Sequence, residues 1–379
     1  MKLGSPARRA GSLAIVGGVA VTAACSEHGE ALREDVSPRA AEPVARQASA
    51  LTGEVNVWKN ACTGVCGTRP PASEAPAAFD PRLGKSVVLS GATYGSDGKA
   101  WSTLAPAAGG LASRGGAAMT FHGALNALIL FGGTGPVGGP GHYDDTWAWN
   151  YTASAWGTLS VTKPVELTVR NNAMMAYDAA RSAAVLFGGE SGTPQDGGGY
   201  QNSNLNDTWT LVANGSGGWK WELRSPANRP PPRNNGRMVY DTARSRVLLF
   251  GGWGEDPINY VDGGAAKSGP LDDLWAWDGT NWTQLSPATR PPRRTTFGMA
   301  YDKARDRVVV FGGWGVVQGN LTYCDDTANN CNRLGDTWEF DGVDWVKVTT
   351  TPSPSPRVGM NLAFDVERGR TVGFGGWAD

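Results

Sequence analysis

GRMVYDTARSRVLLFGGWG (residues 236–254), followed after a loop by DDLWAWDGTNWTQL (272–285), is the stretch that decides the fold. It contains four short runs rich in aromatic and aliphatic residues, separated by Asp, Gly and other polar residues. Runs of this length and composition predict β-strands, and the tight polar turns between them predict antiparallel pairing. The stretch therefore predicts a small four-stranded antiparallel sheet.

The same pattern recurs along the chain at one fixed spacing. In five copies, the aromatic residue that ends the first run stands ten residues before the Phe of a Phe-Gly-Gly motif in the second run. In the first copy the same spacing leads to Leu89, and the glycine pair has become Ser90-Gly91. We number the copies units one to six by this marker aromatic: Phe79, Phe121, Tyr177, Tyr240, Tyr301 and Phe364. Most units also carry an Asp-x-Trp motif, which begins at Asp145, Asp207, Asp273 and Asp336. A later Trp follows that motif, at Trp156, Trp221, Trp282 and Trp345. Repetition of one four-stranded unit predicts a radial array of sheets.

The composition sets limits on the class of protein. With 379 residues, of which 40% are hydrophobic and 18% charged, the chain can bury a large core. With a formal net charge of −1, the chain lacks the excess of positive charge that attracts nucleic acid. Most of the 16 tryptophans stand at repeat positions, so their default role is structural. We therefore expect a large globular protein with no nucleic-acid partner.

The amino terminus has the pattern of an export signal. Lys2, Arg8 and Arg9 precede the apolar run LAIVGGVAVTAA (13–24), which is too short to span a bilayer. The end of that run resembles a bacterial lipobox, which implies that Cys25 carries a lipid and anchors the mature protein in the outer membrane. Ordinary secretion is the alternative. Residues 26–50 are polar and rich in Ala and Pro, so they predict a flexible tether.

The repeated motifs identify a family resemblance. Phe-Gly-Gly, Asp-x-Trp and the turn that leads from Asp278-Gly279 to Trp282 resemble the kelch repeat over residues 51–379. The resemblance implies an all-β, six-bladed β-propeller. Unit six has only two runs before the sequence stops, and LTGEVNVWKN (51–60) contains an alternating strand with Trp58. We expect this N-terminal strand to complete the last blade.

The remaining cysteines are four in number, and an even number in an exported chain predicts disulfides. They are Cys62, Cys66, Cys324 and Cys331. Three pairings exist in principle, of which Cys62–Cys66 and Cys324–Cys331 are local. Four thiolates can also hold zinc, but the oxidising compartment favours disulfides. We expect no metal and no cofactor.

The candidate ligand-binding residues fall on one predicted face. The long insertions (134–144, 190–206, 253–272 and 314–335) all follow the second strand of a unit, and long loops on a rigid scaffold commonly carry recognition. Seven residues before the marker aromatic stands an arginine in every unit but the first: Arg114, Arg170, Arg233, Arg294 and Arg357. A ring of guanidinium groups predicts an acidic ligand, whereas the structural alternative is that each arginine bridges neighbouring sheets.

A second set consists of tryptophans directly after Gly-Gly in units four to six: Trp253, Trp314 and Trp377. Thr134 and Glu190 stand at this position in units two and three, so the scaffold does not require Trp there. Exposed indoles suit stacking on a sugar or a peptide, and packing beneath the loops is the alternative.

Catalytic patterns are sparse. The three histidines, His28, His122 and His142, do not supply the ligands of the copper oxidases that share kelch blades. Metal-free sugar isomerases with kelch blades use acidic and basic side chains, for which Glu190, Glu255, Asp256 and the five arginines are the candidates here. We therefore expect a monomeric, envelope-anchored module whose loop-bearing face binds an acidic or glycan-containing partner, a protein or a glycan. A periplasmic carbohydrate-active enzyme and a purely structural envelope protein are the alternatives.

Overall fold

β-Strands provide the regular structure of the residues that the computed structural model describes, namely 75–106, 111, 114–135, 141–194, 200–262, 265–316 and 332–378. The prediction of an all-β fold is confirmed. Within these ranges, no helix has the length and apolarity needed to cross a membrane. The signal region, the tether, the expected strand at 51–60 and the four cysteines of the expected disulfides lie outside the described residues.

Units one and two each form a four-stranded antiparallel sheet whose strands lie in chain order. Their strands are β1 (Ala77–Asp80), β2 (Lys85–Ser90), β3 (Ala92–Ser96), β4 (Trp101–Ala105), β5 (Ala118–His122), β6 (Ala127–Phe131), β7 (Thr146–Asn150) and β8 (Ala155–Thr158).

Unit three repeats this order and adds a fifth strand at its outer edge. Its strands are β9 (Val161–Thr162), β10 (Met174–Asp178), β11 (Ala183–Pro194), β12 (Tyr200–Ala213) and β13 (Trp219–Arg224). β9 precedes the unit in the chain and pairs in parallel with β13. β11 and β12 continue past the sheet as one long hairpin, with a register shift between Phe187 and Gly189.

Units four and five each contain a four-stranded sheet and a separate three-stranded one. The strands of unit four are β14 (Arg233–Asn234), β15 (Arg237–Asp241), β16 (Arg246–Phe250), β17 (Trp253–Asp262), β18 (Ala265–Pro270), β19 (Leu274–Trp277) and β20 (Trp282–Leu285). Those of unit five are β21 (Arg294–Thr295), β22 (Gly298–Asp302), β23 (Arg307–Phe311), β24 (Trp314–Gly315), β25 (Asn332–Arg333), β26 (Thr337–Phe340) and β27 (Trp345–Val348). The small sheets have the orders β14-β17-β18 and β21-β24-β25. Unit six contributes β28 (Val358–Asp365) and β29 (Arg370–Trp377).

The turn after each marker aromatic explains why the spacing of ten is fixed. The residue five places after the marker is left-handed in all six units: Gly84, Asn126, Ser182, Ser245, Asp306 and Gly369. The residue directly after the marker is buried and caps the turn. In unit one, for example, Asp80 Oδ1 accepts hydrogen bonds from the backbone N–H groups of Arg82 and Leu83, at 2.8 and 3.2 Å. Such Asp-capped turns favour a short connection of constant length.

The core lies between neighbouring sheets. Each buried cluster joins two consecutive units; in one of them Phe187 of unit three packs with Trp282 of unit four, ring centroids 5.3 Å apart. The Trp282 indole N–H also donates to Thr208 Oγ1 of unit three, at 2.9 Å. Trp156 and Trp221 make the same bond to a threonine of the preceding unit. The later Trp of each repeat therefore joins its sheet to the sheet before it.

The Asp-Gly turns join the units at their outer part. Gly342 has φ +95°, and a Cβ added there would overlap the Arg244 guanidinium of the preceding unit. Gly279 is crowded in the same way by Arg181 of unit three. Glycine is needed at these turns because it tolerates positive φ and leaves room for the neighbouring arginine.

The first strands of the units contact one another in chain order, and β28 of unit six also contacts β1 of unit one. Three side chains of unit six, those of Asn361, Arg368 and Arg370, bond to the backbone of unit one. Asn361 Nδ2 donates to the Ala75 carbonyl oxygen at 3.0 Å, and Arg370 Nη2 donates to that of Gly98 at 3.4 Å. Contacts between first strands thus run through all six units and return to the first.

Candidate functional site

Four of the five candidate arginines form buried ion pairs within their own unit. Arg233 is 0% exposed, and its Nη1 and Nη2 donate to the two carboxylate oxygens of Asp273 at 2.5 and 2.7 Å. Arg294 is also 0% exposed and makes the same bidentate contact with Asp336, at 3.0 and 2.9 Å. The remaining pairs of this kind are Arg114–Asp145 and Arg170–Asp207. The Asp-x-Trp motif therefore supplies the partner of each arginine.

Each of these carboxylates also orients a tryptophan. Asp273 Oδ2 accepts a hydrogen bond from Trp275 Nε1 at 2.7 Å, and Asp336 Oδ2 accepts one from Trp338 Nε1 at 2.6 Å. Burial by itself would raise the pKa of Asp273, but the charge of Arg233 and these hydrogen bonds hold that pKa below its ordinary value. The same balance lowers the pKa of Asp336.

These contacts correct the expectation of a guanidinium ring for an acidic ligand. The four arginines direct their charge inward to a carboxylate, so they do not present it to solvent. Arg357 differs because unit six has no Asp-x-Trp motif among the described residues. It is half-buried and donates to the carbonyl oxygens of Ser355 and Gly375 and to Ser355 Oγ. We call the four paired arginines the arginine column. Each pairs within its own unit, whereas the structural alternative expected it to bridge neighbouring sheets.

The residue after each arginine pairs with the residue after Gly-Gly, which builds a second tier on the loop-bearing face. In unit four Asn234 pairs with Trp253, and in unit five Thr295 pairs with Trp314. Unit six places Val358 opposite Trp377. Units two and three use isolated bridges, Gly115 to Thr134 and Asn171 to Glu190. We call the paired residues of these five units the upper tier.

The double glycine makes this tier possible. Gly251 and Gly252 have φ values of +59° and +106°, and the Gly252 N–H donates to the Arg294 carbonyl oxygen of the next unit at 3.0 Å. A Cβ on either glycine would meet backbone atoms within 3 Å. Because only glycine fits this conformation, the chain turns at the same point in units two to six and aims the following residue at the face.

The three candidate tryptophans occupy equivalent positions of the upper tier in units four, five and six. Trp253 is half-buried, Trp314 is 39% exposed and Trp377 is 52% exposed. Exposure therefore rises along the series from unit four to unit six. The structure therefore presents two indoles, with a third partly covered, in consecutive units.

Amide side chains connect the upper tiers of units three and four. Asn235 Nδ2 donates to Asn234 Oδ1 at 2.9 Å, and Asn234 Nδ2 donates to Asn204 Oδ1 at 2.7 Å. Asn204 Nδ2 in turn donates to the Trp253 carbonyl oxygen at 3.5 Å. This series of amides fixes the position of Trp253 relative to the hairpin of unit three.

Units two and three give the face a polar half. His142 Nδ1 is 2.8 Å from Thr134 Oγ1, and both belong to the insertion of unit two. Burial lowers the pKa of His142, and the charge of Glu190 opposes that effect. Glu190 is half-buried and Glu255 is exposed. The ten residues of the upper tier include one carboxylate, that of Glu190, and no arginine or lysine.

A ring of backbone hydrogen bonds lies beneath the upper tier and has no counterpart in the sequence prediction. Its members stand five residues before the marker aromatic and are all left-handed: Gly116, Asn172, Asn235, Thr296 and Gly359. In units three to six the N–H of this residue donates to the carbonyl oxygen of the member in the preceding unit, at 2.6–3.1 Å. The only sequence signal is an excess of Gly and Asn, which tolerate positive φ.

Neither a protein-family model nor a curated protein sequence matches the chain.

Proposed function

We propose that the six units are the blades of a kelch-type β-propeller, and that residues 51–60 complete the sixth. The repeat motifs support this architecture, as do the contacts between first strands that run from unit one to unit six and return. The same proposal holds that the protein is exported and carries a lipid on Cys25, with residues 26–50 as the tether between anchor and domain.

On this scaffold we propose a recognition module that binds a glycan-containing partner through the loop-bearing face. The observation that carries the proposal is the exposure of Trp314 and Trp377 at equivalent positions of consecutive units. When the flat face of a sugar ring stacks on an exposed indole, the apolar surface of both is removed from water, which favours binding. Amides and carboxylates beside the indoles supply hydrogen bonds to hydroxyl groups.

The burial of the four arginines supports a glycan rather than an acidic peptide as the partner. An acidic peptide needs accessible cations, and the guanidinium groups of Arg114, Arg170, Arg233 and Arg294 are already paired with carboxylates. A neutral or weakly charged glycan needs stacking surfaces and amides instead, which the upper tier provides. We therefore propose a glycan, rather than an acidic peptide, as the ligand of the loop-bearing face.

An array of envelope polysaccharides and acidic peptides, probed with the purified mature protein, tests this function. We expect binding to glycans, and about 10-fold or greater weakening in the Trp314→Ala/Trp377→Ala variant, since an interfacial Trp commonly contributes this much. Val346→Ala is the matched control, because Val346 is 61% exposed on the outer strand of unit five. Binding to acidic peptides alone, or glycan binding that survives loss of both indoles, would refute the proposal. Turnover of a bound sugar would favour the enzyme alternative.

A further inference from the structure

Trp314 and Trp377 lie in neighbouring units, and the distance between them limits the kind of glycan that can contact both. The N–H of Gly359 in unit six donates to the carbonyl oxygen of Thr296 in unit five at 2.7 Å. Backbones joined by such a bond stand about 5 Å apart. Units five and six are therefore in direct backbone contact one residue away from the upper tier.

The two tryptophans belong to second strands, which lie farther from the axis than the backbone ring does. Trp314 pairs with Thr295, and Trp377 pairs with Val358, both on the first-strand side of the tier. In the six-bladed ring proposed above, equivalent points of neighbouring units are as far from each other as they are from the axis. The backbone ring then has a radius of about 5 Å. Adding the spacing of about 4.8 Å between neighbouring strands places the Cα atoms of Trp314 and Trp377 about 10 Å from the axis and about 10 Å from each other.

This spacing matches every second sugar of an extended β-1,4-linked chain. Successive pyranose rings of such a chain are rotated by half a turn, so that alternate rings present the same face to one side. Two successive rings advance the chain by the distance that separates the two tryptophans. An α-1,4-linked chain coils instead, and its alternate rings do not present one face along a straight line.

A straight chain placed on Trp314 and Trp377 does not also stack on Trp253. Equivalent positions turn about the axis by one sixth of a circle per unit, so the line through two neighbouring tryptophans passes outside the third. Trp253 is also half-buried, whereas Trp314 is 39% and Trp377 52% exposed. The tier therefore offers two stacking positions to a straight chain.

We infer that the ligand of the loop-bearing face is a linear β-1,4-linked polysaccharide, with alternate sugars stacked on Trp314 and Trp377. This inference rests on the glycan recognition proposed above and names the class of glycan. Three consecutive sugars are the shortest chain that contacts both indoles, because one sugar lies between the two that stack. Contact with the second indole is then intramolecular, so it adds affinity at a small entropic cost.

Isothermal titration calorimetry of the mature protein with oligosaccharides of two to five sugars tests the inference. Cello- and chito-oligosaccharides share the β-1,4 linkage and differ in their substituents, whereas malto-oligosaccharides have the α-1,4 linkage. In at least one β-linked series we expect the trisaccharide to bind about 10-fold or more tightly than the disaccharide, since an interfacial Trp commonly contributes this much. Longer chains should add little, and malto-oligosaccharides should show no such step.

Three single variants locate the step on the two indoles. In Trp314→Ala, and likewise in Trp377→Ala, the trisaccharide should bind no more tightly than the disaccharide. Trp253→Ala is the matched control, because it removes the same side chain at the equivalent position of the neighbouring unit. It should retain the step, and the melting temperature of each variant confirms its fold.

A gain from two to three sugars that survives the loss of either exposed indole would overturn the inference. So would equal binding of the malto-oligosaccharides, or failure of both β-linked series to bind while another glycan of the array does. In these cases the recognition proposal stands as long as binding to the array still depends on Trp314 and Trp377. Wild-type protein that binds no glycan of the array would overturn the recognition proposal itself.

Discussion

Replacing Asp273 by Asn tests whether the arginine column stabilises the fold. The change leaves the Arg233 charge, 0% exposed, without the carboxylate that accepts its two hydrogen bonds at 2.5 and 2.7 Å. Removing one partner of a buried ion pair costs about 3–5 kcal/mol. We expect the free energy of unfolding to fall by that amount, measured by urea denaturation with tryptophan fluorescence.

Two further variants separate the charge effect from general damage. Replacing both partners, in Arg233→Met/Asp273→Leu, removes the buried charge but leaves the Trp275 indole N–H without its acceptor, so we expect a smaller loss of about 1–3 kcal/mol. Ser355→Ala removes the hydroxyl oxygen that accepts a hydrogen bond from Nη2 of the half-buried Arg357 at 2.8 Å. It should lower the free energy of unfolding by less than about 1 kcal/mol. If the free energy of unfolding of Asp273→Asn stays within about 1 kcal/mol of the wild-type value, the effect is that of a surface ion pair. The Arg233–Asp273 pair is then not shielded from water, and the reasoning fails.

The remaining predictions concern contacts between units and pH. Thr208→Val removes the acceptor of the buried Trp282 indole and should lower the free energy of unfolding by about 1–3 kcal/mol; a neutral result in urea denaturation would contradict this. Gly342→Ala should lower the melting temperature, because it combines a φ of +95° with displacement of Arg244; an unchanged melting temperature would show that the turn relaxes freely. Burial lowers the pKa of His122, so below about pH 6.5 the unfolded chain binds more protons than the folded one and stability falls as pH decreases. His122→Asn should flatten the pH dependence of unfolding free energy below 6.5, and an unaltered slope would assign it to other groups.

The sequence predicted the strands well because every unit repeats the same local chemistry. The marker aromatic and the capping residue after it fix a turn of constant length, so the first two strands of each unit keep one register. His122 shows that the turn requires a side-chain hydrogen-bond acceptor at this position, which need not be Asp. It stands where the other units have Asp, and its Nδ1 accepts the Leu125 N–H at 3.1 Å. Because the geometry of this turn depends on residues that are neighbours in the chain, the sequence predicts it.

The pairing of the arginines was not predictable in the same way. Arg170 and Asp207 are 37 residues apart, and Arg294 and Asp336 are 42 apart, because insertions of different length lie between them. Counting from the marker aromatic therefore shows the arginines as a column but hides their partners. Missing the partner led to the expectation of an open guanidinium ring. The same distance effect hides the backbone ring, whose members meet only when neighbouring units pack.

Loss of one threonine shows how far the repeat tolerates departures. Leu274 stands where Thr146 and Thr208 stand in earlier units, and Trp345 Nε1, which would bond there, has no acceptor among the described residues. Trp345 nevertheless stays 1% exposed, packed on Phe250 with ring centroids 5.0 Å apart. Apolar packing keeps the indole in place where the hydrogen bond is missing.

The most direct test of the account is a crystal structure of residues 51–379 with an envelope oligosaccharide bound. The account predicts a closed ring of six sheets, buried Arg–Asp pairs, and sugar density stacked on Trp314 and Trp377. Sugar bound by Arg114, Arg170, Arg233 or Arg294 with their carboxylates displaced, or density remote from both indoles, would contradict it.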